Sequence, residues 1–146
     1  MKLSTRARYA LRAMMVVARE SGDGVPVNLS KVAERTHVSR RYLEQVAISL
    51  KNAGLLKAVS GKNGGHSLSR PAGEIRLGEI VEAAIGEINI VECVRQPESC
   101  LKTDSCECRD LYSLINQRIL ESLNEFTLAD LAAGRMKKMI GLGRRS

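Results

Sequence analysis

Four cysteines fall within sixteen residues of this chain: Cys93, Cys100, Cys106 and Cys108, in the spacing C-x6-C-x5-C-x-C. Thiolates are soft ligands, and so tight a set in a polar stretch points to a metal site or to thiol chemistry. Cysteines that merely fill a core would be scattered along apolar stripes. A structural zinc site usually draws on two C-x2-C pairs, which this spacing lacks. An iron–sulfur cluster takes thiolates from a flexible loop and tolerates wider spacings. A thiol–disulfide switch needs only two neighbouring thiols. On the residues alone all three stay open.

A second group sits far upstream. In Ser39-Arg40-Arg41-Tyr42-Leu43-Glu44-Gln45, the residues Arg40, Arg41, Glu44 and Gln45 lie off the apolar stripe of Leu43, Ala47 and Leu50. Arg pairs with guanine or phosphate, Gln with adenine, and Glu accepts from the cytosine amino group. The charge agrees with a polyanion partner. Residues 1–76 carry 14 basic and 5 acidic side chains, a net +9, against −6 for 77–135 and +4 for 136–146. Nucleic acid leads among such partners. Three Tyr, one Phe and no Trp leave little for an aromatic platform under single strands. A groove-reading helix needs none. No nucleophile–base pair, phosphate loop or nucleotide fingerprint is present, so the chain reads as a non-enzyme. A small redox enzyme is the weakest rival.

The elements that must position these residues follow from pattern. Residues 4–20 read as a helix capped by Ser4 or Thr5, with Leu11, Met14, Met15 and Ala18 inward. Asn28 caps a helix over 29–35, and Ser39 caps another over 40–53 that Gly54 stops. Two short helices joined by the tight Thr36-His37-Val38 connection make a helix-turn-helix. Residues 55–60 and 67–71, around the Gly-rich turn 61–66, make a basic hairpin, the position of a wing. Leu77 to Ala84 suit a short helix ended by Gly86, and 88–91 reads as extended. Residues 93–108 form a loop, and 109–126 a long helix with Leu111, Leu114, Ile115, Ile119, Leu123 and Phe126 on one stripe. Asn116, Gln117, Arg118, Glu121 and Glu125 are expected to face away. That stripe reads as a dimerisation face, with packing on the first helix of the same chain as the alternative, and the two are compatible. Residues 127–131 read as a short capped helix that packs back.

The fold class is therefore mainly α: a winged helix-turn-helix with a small β-hairpin wing and a long C-terminal dimerisation helix. The expected division is a DNA-binding unit over 1–72, a connector and cysteine loop over 73–108, the dimerisation and packing helices over 109–132, and a basic, frayed tail over 133–146. With 146 residues, 44% apolar and 27% charged, the chain has the balance of a soluble globular protein. Its longest apolar run, Ala13 to Ala18, is far short of the ~20 residues of a membrane span. No secretion signal is evident at the N-terminus, so a cytoplasmic, reducing location is expected, which disfavours structural disulfides.

The opening Met1-Lys2-Leu3-Ser4-Thr5-Arg6-Ala7-Arg8-Tyr9-Ala10-Leu11, the Tyr42-Leu43-Glu44-Gln45 core, Gly61-Lys62-Asn63-Gly64-Gly65 and the cysteine loop together resemble the IscR/NsrR-like, or Rrf2, winged-helix iron–sulfur transcriptional regulators. The resemblance spans roughly residues 1–132. It implies a homodimeric regulator, such as a repressor or redox sensor, that holds a [2Fe–2S] or [4Fe–4S] cluster and binds palindromic operators in double-stranded DNA. It places three cluster cysteines on Cys93, Cys100 and Cys106, with six residues between the first two where the family often has five. The family's fourth ligand is a His or a partner-chain Asp, and those positions here are Arg109 and Arg8. Cys108 is then the first candidate, with Glu107, Asp104 and Asp110 behind it. A thiol switch or zinc in place of the cluster is the alternative. The resemblance puts Glu44 at a base-reading position beside Arg41. It also puts Ser60 where the family wing has an Arg, so that minor-groove contact is either lost or passed to Lys62. The DNA-contacting set is Lys2, Thr5, Arg6, Asn28, Ser39, Arg40, Arg41, Tyr42, Glu44, Gln45, Lys51, Ser60, Lys62, Asn63, Gly64 and Gly65. His66 and His37 are expected to be packed residues and not ligands.

Overall fold

A computed structural model describes residues 2–100 and 105–141. The first helix, α1 (Thr5–Glu20), starts where the Ser4 hydroxyl accepts from the Ala7 N–H at 3.1 Å. It is the central element, packed by α2, α3, α4 and α7, whose ranges follow. Being covered from several sides, it buries Ala7, Ala10, Ala13, Met14, Val16 and Val17. Leu11, Met15 and Ala18, expected inward, are only half-buried. Alanines hold those inward positions because they let neighbouring helices approach closely.

The next helices, α2 (Leu29–Thr36) and α3 (Arg40–Asn52), are both capped by the expected side chains. The Asn28 carboxamide oxygen accepts from the Ser30 N–H, and the Ser39 hydroxyl from the Tyr42 N–H. Between them His37 takes the left-handed conformation, φ 56° and ψ 33°, which turns the chain in one residue. Leu43, Val46, Ala47 and Leu50 of α3 are buried. The hairpin strands β1 (Leu56–Val59) and β2 (Gly65–Leu68) pair antiparallel, Leu56 opposite Leu68 and Val59 opposite Gly65. Gly65 and His66, expected in the turn, belong to β2. The cause is a long-range pairing: His66 and Val27 exchange two backbone hydrogen bonds of 2.8 Å.

Helix α4 (Leu77–Ile85) buries Leu77, Ile80, Val81 and Ala84 and ends at Gly86, φ 84°. The following segment forms no strand. It is held by Asn116, which accepts from the Ile90 N–H at 3.0 Å and donates to the Ile88 carbonyl at 3.4 Å. Asn116, expected outward, is 8% exposed for this reason. The cysteine segment carries a helical turn α5 (Glu92–Arg95) and a 3-10 turn (Pro97–Ser99) where a plain loop was expected. Helix α6 (Glu107–Glu125) begins two residues earlier than expected, so Cys108 lies in its first turn.

Phe126 corrects the dimer stripe. It leaves α6 and is 7% exposed, in one core cluster with Ile75, Ile80 and Leu128. Backbone bonds from Leu77 N–H to the Phe126 carbonyl (3.1 Å) and Leu128 N–H to the Ile75 carbonyl (2.8 Å) fix it there. Helix α7 (Leu128–Ala132) has a reciprocal cap between Thr127 and Asp130 and lies on α1. A last helical turn, α8 (Met136–Met139), stands where fraying was expected, with Met136 resting on the core. Residues 142–146 of that tail lie outside the described residues. No helix among the described residues is long and apolar enough to cross a membrane.

Candidate DNA interface and cysteine loop

Arg40, Arg41, Glu44 and Gln45 are all exposed along the first turns of α3. The Arg40 guanidinium is held between the two helices of the unit, 2.9 Å from the Ser30 hydroxyl and 3.3 Å from the Glu44 carboxylate. An exposed pair of this kind contributes little stability but restricts the side chain. Between this turn and the wing runs an open groove of about 330 Å³, whose walls include Asn28, Arg40, Glu44, Lys62, Gly64 and Gly65. Ser60, Lys62 and Asn63 are exposed at the wing tip, and Lys51 is exposed on α3. Six of the sixteen expected residues line this notch, and Ser39, Arg41, Gln45, Lys51, Ser60 and Asn63 are exposed on the same two elements or at their start.

Four members are placed otherwise. Arg6 folds back onto α3 and α4: its Nε donates to the Ala84 carbonyl at 2.8 Å and its Nη2 to the Ser49 hydroxyl at 2.5 Å. Tyr42 is half-buried, edge-on to Tyr9 with ring centroids 5.5 Å apart, so its ring braces α3 on α1. Thr5 accepts from Arg8 within α1. Lys2 borders an apolar groove with Leu3, Ile85, Ile88 and Ile119, away from the notch.

His66 lies beside the notch with Nδ1 buried and, among the described residues, without a hydrogen-bond partner. Burial first, and the positive Lys51 second, hold its pKa below the ordinary histidine value. The folded protein therefore binds this proton later than the unfolded chain does. This contribution to stability is complete above about pH 6.5. It falls as the pH drops from there through the folded pKa. Urea midpoints followed from pH 7.5 down to about pH 5 should decline for the wild type relative to His66→Phe in that window. Parallel curves would show that the imidazole does not contribute.

At the other end, Cys93 and Cys106 are half-buried and Cys100 and Cys108 exposed. Tyr112, one turn beyond Cys108, was not singled out from the sequence, although its spacing places both on one helix face. The charge of Cys108 and a hydrogen bond to it raise the Tyr112 pKa, then burial, then the charges of Cys106 and Cys93. Tyr112 is thus a polar neighbour of Cys108, the sulfur that acts on it most. Arg109 Nε donates to the Cys93 carbonyl at 3.2 Å, tying the start of α6 to α5. Arg8 lies on α1 and is exposed. Asp104 lies outside the described residues. Among the described residues, no three His, Cys, Asp or Glu side chains are close enough together to hold a metal ion. Sulfur donors suit an iron–sulfur cluster by their chemistry, and the thiols share a locality without being gathered.

Along α6, Leu111 is 53% and Leu114 49% exposed. Ile115, Ile119 and Leu123 are half-buried, the last two against Ala7, Val81 and Ile88. With Leu3, the residues Leu114, Ile115, Ile119 and Leu123 line an apolar groove of about 540 Å³.

A family model described as Rrf2, iron-dependent transcriptional regulator, matches residues 3–134. The chain is 37% identical over 131 residues to the HTH-type transcriptional regulator IscR of Yersinia enterocolitica, covering 90% of this chain and 79% of that protein. Its structure is similar to that of CymR, the global cysteine regulator of B. subtilis, with a TM-score of 0.78 and 34% identity over 91% of this chain and 97% of that one. It is also similar to IscR of T. potens, with a TM-score of 0.75 and 30% identity over 92% of this chain and 88% of that one.

Proposed function

The chain belongs to the Rrf2 family of transcriptional regulators, and from that premise we propose that it is a homodimer whose affinity for a palindromic operator is set by an iron–sulfur cluster in the Cys93–Cys108 loop. The observation that carries this reading is that Arg109 of α6 holds the Cys93 carbonyl of α5 at 3.2 Å, which sets Cys93 beside the start of α6, where Cys106 and Cys108 stand. Cys93, Cys100 and Cys106 would hold the group, with Cys108 as fourth ligand. When bound, such a group supplies a charged, oxidant-labile tie between α5 and α6. The exposed α6 stripe of Leu111 and Leu114, continued by Ile115, Ile119 and Leu123, is the face for a second chain. That face follows the cysteines directly, so their state bears on the spacing of two recognition helices. Coupling between loop and operator is then a difference in their affinities.

On the DNA side, the unit over 1–72 provides the contacts. Arg40, Arg41, Glu44 and Gln45 read base edges. Lys51, Lys62 and Asn63 contact phosphates, with the backbone at Asn28, Ser39, Ser60, Gly64 and Gly65 close to the sugar-phosphate chain. A thiol–disulfide switch in the same loop is the second reading. The likeness to CymR, together with the exposed Cys108, favours it over zinc.

Iron and acid-labile sulfide per chain, measured on anaerobically purified protein with a visible spectrum, separate the two. The expected result is stoichiometric iron and sulfide in the wild type and their loss or depletion in Cys108→Ser. Absence of both after reconstitution would replace the cluster by the thiol switch. Metal without sulfide would replace it by zinc.

A further inference from the structure

Arg6 makes three contacts that join α1 to both α3 and α4. It reaches the Ala84 carbonyl in the last turn of α4, the Ser49 hydroxyl on α3, and at 3.5 Å the Gln45 carbonyl on α3. The last carbonyls of a helix have no partner within it, and a cation is favoured at that end. A guanidinium answers both needs with a planar fork of donors that a lysine lacks. On one side of this fork lies the helix that carries Arg41, Glu44 and Gln45. On the other lies the end of α4, followed by Ile88 to Ile90 in the grip of Asn116, then by α5 with Cys93. Arg109 closes the chain of contacts from Cys93 to α6.

We propose that Arg6 is a positioning residue for operator recognition: its bridge from Ala84 to Ser49 and Gln45 fixes the recognition helix to the arm that carries the cysteine loop. It acts on base reading through α3 and touches no DNA itself. The inference rests on α3 being the recognition helix, as proposed above.

Ser49→Ala removes one anchor on α3 and leaves every charge in place, and Arg6→Lys keeps the charge but loses the fork. Each variant and the wild type are titrated with a duplex selected by the wild type from a random pool, and with an unrelated duplex, at several salt concentrations. Both variants should bind the selected duplex about tenfold more weakly, the worth of one charge-assisted bond. Binding to unrelated duplex and the salt dependence should stay at wild-type values. Hydrogen exchange should quicken in 45–53 and 84–90 and not in the middle of α1. Three results would overturn the proposal. The first is Arg6→Lys equal to wild type on both duplexes. The second is Arg6→Met binding both duplexes equally more weakly with a salt slope lower by about one, the mark of a phosphate contact. The third is unchanged exchange at 45–53 in Ser49→Ala. A wild type that selects no duplex would instead overturn the functional reading, and the exchange comparison would still decide whether Arg6 fixes α3.

Discussion

Gly65→Ala is expected to lower stability by about 2–3 kcal/mol, as overpacking against a fixed backbone does. Operator binding should weaken by about tenfold, the equivalent of ~1.4 kcal/mol of lost contacts. A Cβ on Gly65 would lie 2.5 Å from the Val27 carbonyl oxygen and 2.9 Å from the Asn28 nitrogen. Those atoms are backbone and cannot rotate aside. They are also locked to the neighbouring residue by the two 2.8 Å bonds between Val27 and His66. Relief requires β2 to move away from the segment that enters α2. That shift opens the notch between Lys62 and Arg40, where the wing and the recognition helix together face DNA. Gly64→Ala meets the Val59 carbonyl oxygen at 2.2 Å and should behave alike. Gly73→Ala is the control, because nothing lies within 4 Å of its added Cβ and its φ is ordinary. It should change stability by less than ~0.5 kcal/mol. Urea denaturation and duplex titration of the three variants check this, and a Gly65→Ala protein equal to Gly73→Ala would show that the wing is not held by this contact.

The same two glycines mark where sequence reading stops. The hairpin was legible because turn residues and short β-capable runs are local signals. Whether Gly65 sits in the turn or the strand depends on Val27, nearly forty residues upstream, and no local pattern carries that. Both helix caps of the helix-turn-helix were legible for the converse reason: Asn28 and Ser39 act on N–H groups two and three residues away. Arg6 belongs to the expected DNA-contacting set. Its actual partner, the Ala84 carbonyl, is 78 residues distant. Phe126 fitted the helical period of α6 yet lies past its end, because the chain there pairs with Ile75 and Leu77. The cysteine spacing identified the locality of the loop, but not Tyr112 beside Cys108. An ordinary helical tyrosine gives no sequence signal until the start of α6 is known.

Asn116 is the sharpest of these cases, since periodicity placed it on the solvent side. Asn116→Leu keeps the branched four-heavy-atom shape of the side chain and removes both of its hydrogen bonds. The Ile88 carbonyl and the Ile90 N–H then lose their partner beneath α6. Each buried polar group left unpaired costs about 1–3 kcal/mol. Because Ile90 is half-buried and can reach water in part, a total of about 2–3 kcal/mol is expected. The greater effect should be local. Besides these two bonds, the segment between Gly86 and α5 is tied by Asn89, whose Oδ1 accepts from the Val91 N–H at 3.3 Å, by the packing of Ile88 on Ala7 and Val81, and by the Arg95 pairs with Glu87 at 3.0 Å and Glu92 at 3.6 Å. Those pairs are exposed and weak. Trypsin should therefore cleave after Arg95 roughly tenfold faster in Asn116→Leu, as local opening becomes easier. Asn116→Asp separates the two bonds. It keeps an acceptor for the Ile90 N–H but sets a carboxylate against the Ile88 carbonyl. At neutral pH it should be as destabilised as the leucine variant, and below the carboxyl pKa the protonated acid can donate to Ile88 and recover part of the loss. Cleavage and stability that match the wild type in both variants would mean that α5, and Cys93 with it, is held by something other than this side chain.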